Sequence, residues 1–108
     1  MQAQGKTIGR LHLLESLYRQ GYQSDVIDHS IDKLLMLERA SAQHSLADLE
    51  ERLRAYEGQY YMSSPDFYQR FRAGQLGDDI EFVEWSVFYE MHRGVQERLS
   101  ILMAETAA

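Results

Sequence analysis

The chain has no cysteine, which excludes disulfides, thiolate metal sites and a cysteine nucleophile. One proline, Pro65, and seven glycines in 108 residues leave few points at which a helix must stop. No apolar run approaches the roughly 18 residues of a membrane-crossing helix. Residues 1–6 are polar and lack the apolar stretch of a secretory signal, so a cytoplasmic protein is expected. Bases are scarce: 11 Lys and Arg stand against 17 Asp and Glu, a formal net charge of −6. Duplex-DNA binders present a basic footprint, so nucleic acid is not an expected partner of this chain alone. What remains is ordinary globular stock, 44% hydrophobic and 26% charged, about one domain's worth.

The hydrophobic spacing is helical nearly throughout. Leu11, Leu14, Leu17 and Tyr18 form a stripe that predicts a first helix over residues 8–20, with Gly21 just past its end. Ser24 is a cap for a second helix, with Asp25 and Asp28 in its first turn, where the helix dipole favours negative charge. From Leu35 the pattern becomes a heptad: Leu35, Ala42, Leu49 and Tyr56, with Arg39, Leu46, Leu53 and Tyr60 four residues after each. This alternating 4-3 seam belongs to a helix laid along a long partner. It predicts a helix over residues 24–57, continuous or broken near the small polar segment 40–45. Ser64-Pro65-Asp66 is a strong helix start and predicts a short helix over residues 65–73, followed by a turn with two glycines. Asp78, with Glu81 three residues on, resembles a capping box and opens a last helix over residues 78–102. The fold expected is all-α: about four helices in a single domain, a long central helix or helix pair, and a long C-terminal helix packed back on it. A seam of Leu46, Leu49, Leu53 and Tyr56 on a small chain also suggests a homodimer.

No catalytic constellation can be assembled. The four histidines form neither a His-Glu-x-x-His nor a paired Glu-x-x-His arrangement, and no Gly-rich phosphate loop exists. Asp25, His29 and Asp32 share one helical stripe and are read as a solvated face in preference to a metal site. The expectation is a non-enzymatic chain without cofactor or metal. Two features stand out. Asp78, Asp79, Glu81 and Glu84 are the densest charge, and suit either helix capping or a basic partner. Phe67, Tyr68, Phe71, Phe82, Trp85, Phe88 and Tyr89 gather seven of the twelve aromatics, either as a core between the last two helices or in part as anchors for a protein partner.

The run Met62-Ser63-Ser64, then Phe67-Tyr68-Gln69-Arg70-Phe71, Ala73-Gly74-Gln75-Leu76-Gly77-Asp78-Asp79 and Phe82 with Glu84-Trp85, resembles a motif of small helical bacterial proteins. These are antitoxin-like members of two-gene toxin–antitoxin modules. The resemblance covers residues 61–89 and implies a co-encoded, nuclease-type toxin as partner. Phe67, Tyr68, Phe71 and Trp85 would dock on it, while Asp78, Asp79, Glu81 and Glu84 face its basic cleft in place of phosphates. Residues 19–27 are similar to the helix junction of ribbon-helix-helix regulators, which read DNA with a strand before the first helix. Here that strand would be residues 2–7, with Lys6 its only base. Such a regulator and a plain coiled-coil dimerisation module are the alternatives. The charge balance predicts no sequence-independent DNA binding at physiological salt; a gel shift of random duplex at micromolar protein would contradict it.

Overall fold

The computed structural model describes residues 2–104, with side chains from residue 4. These residues are 84% helical with no strand, in the order α1 (Gln2–Arg19), α2 (Asp25–Tyr60), α3 (Ser64–Arg72) and α4 (Ile80–Met103). They fall into two compact units, Met1–Leu34 and Leu35–Ala108.

In the first unit α1 is followed by a reversal and the opening turns of α2. Gly21, at φ +95°, takes the left-handed position of a Schellman closure. Its N–H donates to Tyr18 O (3.0 Å), and Tyr22 N–H donates to Leu17 O (3.1 Å). Ser24 caps α2, its Oγ accepting from Ile27 N–H at 3.3 Å. The Tyr18 hydroxyl donates to Asp28 (2.6 Å) and accepts Ser24 N–H (3.2 Å), latching the reversal. α1 begins at Gln2, well before residue 8, and this is a correction to the ribbon-helix-helix reading. Residues 2–7 hold Gln and Lys, which favour helix, and little that favours a strand, so the DNA-reading strand of that fold is not formed.

In the second unit α4 packs on α2, antiparallel. Arg39 Nε donates to Leu102 O at 2.7 Å, His92 Nε2 lies 3.5 Å from Glu50 Oε1, and the Tyr56 ring stacks on Trp85. Partners thus descend along α4 as they rise along α2. All eight seam positions, from Leu35 to Tyr60, are buried or half-buried. α4 carries the answering series Trp85, Phe88, His92, Val95, Leu99 and Leu102, also buried or half-buried. The seam expected to join two chains, with Leu46, Leu49, Leu53 and Tyr56, is therefore occupied within one. Arg39 fits it because its guanidinium reaches a carbonyl at the C-terminal end of α4, where the helix dipole favours a cation.

α2 is unbroken through residues 40–45, with Ala42 fully buried, and it continues past Gly58 to Tyr60. Stacking of Tyr56 and Tyr60 on Trp85, 5.5 and 5.7 Å between centroids, supports this last turn against the roughly 1 kcal/mol that a helical glycine costs. The stop falls on Tyr61, a non-glycine at φ +54°, with Met62 N–H donating to Glu57 O at 3.4 Å. α3 closes through Gly74 (φ +77°). The cap of α4 is Asp79, not Asp78: its carboxylate accepts Glu81 N–H at 3.1 Å. Glu81 itself turns toward α2 and does not reach back to the cap.

Replacing Leu49 and Leu53 together with Lys is expected to abolish cooperative unfolding of the α2–α4 pair. Leu53→Ala alone should cost about 2–5 kcal/mol. Circular dichroism and Trp85 emission during denaturation measure both; an unchanged midpoint would place the seam outside the core.

Candidate functional site

The aromatic cluster resolves into a core. Trp85 and Phe67 are 0% exposed, their rings stacked at 3.7 Å and 5°. Trp85 Nε1–H donates to Ser64 Oγ at 2.9 Å. Tyr56, Tyr60, Tyr68, Phe71, Phe82, Phe88 and Tyr89 are half-buried around them. The expectation that Phe67 and Trp85 serve as docking anchors is corrected by their complete burial. α3 and half of α4 do not cover these rings alone; the end of α2 supplies the missing wall. Tyr68 and Phe71 keep partial exposure.

The four acids sit on a shared edge where the end of α2 meets the start of α4. Tyr60 OH and Gln59 Nε2 (3.3 Å) both donate to the Glu81 carboxylate. Tyr56 OH donates to Glu84 at 3.1 Å. Nearly two turns further along α4, Tyr68 OH of α3 donates to Glu90 at 2.6 Å. These donors are neutral, so they position the carboxylates without cancelling their charge. Among the described residues no Lys or Arg is ion-paired with Asp78, Asp79, Glu81 or Glu84. Asp78, Asp79 and Glu84 are exposed and Glu81 is half-exposed. A carboxylate has about four lone-pair positions, so each retains acceptor capacity toward a cationic partner.

Beside this edge runs a surface that sequence reasoning missed. Ile80, Val83, Val87 and Met91, at i, i+3, i+7 and i+11, share the outer face of α4 and are 43–72% exposed. Glu84 and Glu90 interrupt the same turns. The signal was available: the first half of α4 is apolar on nearly all sides, and one packed partner covers only one face. Tyr61 is the other omission, 94% exposed and held in a left-handed backbone that costs a side-chain-bearing residue roughly 1–2 kcal/mol.

An open cleft of about 350 Å³ lies between α2 and α4, lined by Glu50, Arg54, Glu57, His92 and Arg93 among others. Three of its polar groups already have structural duties. The Glu57 carboxylate accepts Ser64 N–H at 2.9 Å and caps α3, and Glu50 faces His92. Among the described residues no three His, Asp or Glu side chains gather as a metal site, the Asp25–His29–Asp32 stripe included. No helix is long and apolar enough to cross a membrane. No protein-family model, curated protein or solved structure matches the chain.

The tyrosine–carboxylate pairs have a measurable consequence. The hydrogen bond to Glu81, then burial, push the Tyr60 hydroxyl up from 10.0 to about 12. Burial and then Glu84 raise Tyr56, and Glu90 raises Tyr68. Because the folded values lie above the unfolded ones, this contribution is complete below about pH 10 and is lost as pH rises through the folded values. Ultraviolet tyrosinate titration should show a late step near pH 12 that Tyr60→Phe removes. Stability should fall above about pH 10, less steeply in that variant.

Proposed function

We propose that the chain is a non-enzymatic, cytoplasmic interaction protein that acts as a homodimer. It is an antitoxin-like component that binds and masks a co-encoded nuclease-type toxin. The motif resemblance over residues 61–89 supplies the class. The observation that carries the reading is the uncompensated acidic edge of Asp78, Asp79, Glu81 and Glu84 beside the exposed stripe Ile80, Val83, Val87 and Met91. An enzyme that holds a nucleic-acid backbone needs a basic cleft, and carboxylates placed like phosphates compete for it. The acids speed and orient encounter, while the apolar stripe holds the complex once water is displaced. Among the sequence-derived candidates, Asp78, Asp79, Glu81 and Glu84 remain in the proposed contact. Tyr68 flanks it through Glu90, and Phe67, Phe71 and Trp85 build the support beneath it.

The test is association of the full chain with the product of the neighbouring gene, followed by stopped flow across a salt series. Asp79→Asn keeps the cap, since Asn caps as well as Asp, and Glu84→Gln can still accept from Tyr56. The double variant should therefore keep its thermal midpoint. Its association should be about three- to ten-fold slower, with a shallower salt dependence, because exposed charges are screened over about 10 Å at 0.1 M salt. Val83→Ser with Val87→Ser, which removes apolar surface and adds no charge, should instead act mainly on dissociation. Wild-type rates and slopes in both variants would remove this face of α4 from the mechanism.

A further inference from the structure

The unit Met1–Leu34 is an unfinished core. Among residues 4–34 no side chain is buried. Eight large apolar side chains there, Ile8, Leu11, Leu17, Ile31 and Leu34 among them, are 40–75% exposed. Leu11, Leu14, Tyr18, Ile27 and Ile31 line an open groove of about 270 Å³ between α1 and the start of α2. Helices in water draw most of their stability from a covered apolar face, and soluble monomers rarely leave a contiguous apolar patch of more than a few hundred Å².

We infer that this groove is covered by the same hairpin of a second copy of this chain, two hairpins closing a four-helix bundle about a two-fold axis. Two observations select that occupant. The first is charge. Residues 1–34 hold four Lys and Arg against four Asp and Glu, whereas residues 35–108 hold seven against thirteen. The whole net charge of −6 thus lies in the second unit. Two copies meeting through their first units bring neutral surfaces together, while a basic partner is steered to the acidic one. The second is area. A specific dimer buries roughly 800 Å² on each partner. Ile8, Leu11, Ile31 and Leu34, 40–61% exposed on the groove side of their helices, with the half-buried Leu14, Tyr18 and Ile27 and their polar neighbours, supply a face that approaches that order. A hairpin with no core of its own also needs cover at all times, and an isologous contact with its own kind provides it. The α2–α4 seam plays no part in this dimer, and the inference does not rest on the toxin reading.

The full chain is examined by sedimentation equilibrium from submicromolar to hundreds of micromolar, together with hydrogen exchange on the wild type over the same range. Expected are a mass of twice the chain and association that is nearly independent of salt. Protection in α1 should fall on dilution while that in α4 stays constant. Leu11→Glu with Ile31→Glu should raise the dimer dissociation constant at least about 100-fold and leave Trp85 emission unchanged. A monomer at every concentration overturns the inference and leaves the groove to another protein. A dimer that survives the double variant, or α1 protection independent of concentration, overturns it by placing the contact elsewhere. A dimer with wild-type toxin association rates in the Asp79 and Glu84 variants would leave this inference standing and remove the toxin-binding face.

Discussion

The hydrogen bond from Trp85 to Ser64 is the constraint on which the second unit turns. An indole N–H that is fully buried needs an acceptor, and leaving it without one costs about 1–3 kcal/mol. Ser64 supplies that acceptor while its own N–H is held by the Glu57 carboxylate of α2. One serine therefore ties α2, α3 and α4 together. The start of α3 is complete around it: Ser63 Oγ accepts Asp66 N–H (3.3 Å), Phe67 N–H reaches Ser63 O (2.9 Å), and Pro65 has no N–H to satisfy. Phe67, one helical turn after Ser64, then lies flat on the indole. The ring stack and the polar anchor fix the same side chain in two directions, and no buried side-chain polar atom among the described residues lacks a partner.

The seam was legible because a 4-3 period names a face of a helix. It does not name what covers that face. The answer lay in a second 4-3 series, Trp85 to Leu102, hidden in a helix whose first half is apolar all round. The aromatic group was similarly ambiguous: a Trp among Phe and Tyr has the same composition in a core and at an interface, and only the third wall supplied by Tyr56 and Tyr60 decides. Asp78 and Asp79 are chemically equal caps. Gly77 takes φ +79° just before them, and it is the second, Asp79, whose carboxylate accepts the Glu81 N–H in the first turn of α4. Gly58 looked like a stop, but its helical turn is held by aromatic stacking, and the left-handed conformation passes to Tyr61.

Tyrosine hydroxyls do much of the polar pairing in this chain. Tyr18, Tyr56, Tyr60 and Tyr68 each donate to a carboxylate, and among the described residues the only Lys or Arg ion pair is Arg19 with Glu15. A neutral donor orients a carboxylate and leaves its charge in place, which an arginine partner would cancel. Chain-wide acidity and ordered side chains are compatible for this reason. The excess of acids counted in residues 35–108 is accordingly met, among the described residues, by tyrosine donors and not by Lys or Arg.

Stability is correspondingly uneven. Among the described residues every buried side chain, from Ala42 to Ser86, belongs to the second unit, while the first is held by a Schellman closure, a serine cap and a tyrosine latch. Such local devices contribute about 1 kcal/mol each and define a hairpin's geometry without supplying a core. The apolar side chains that could supply one are present but face outward. Under the two proposals, the chain would divide its recognition: the second unit offers carboxylates beside an apolar stripe, and the charge-balanced first unit offers an apolar groove alone. Each surface can then be tuned by substitutions that leave the other untouched, because residues that share no partners contribute nearly independently.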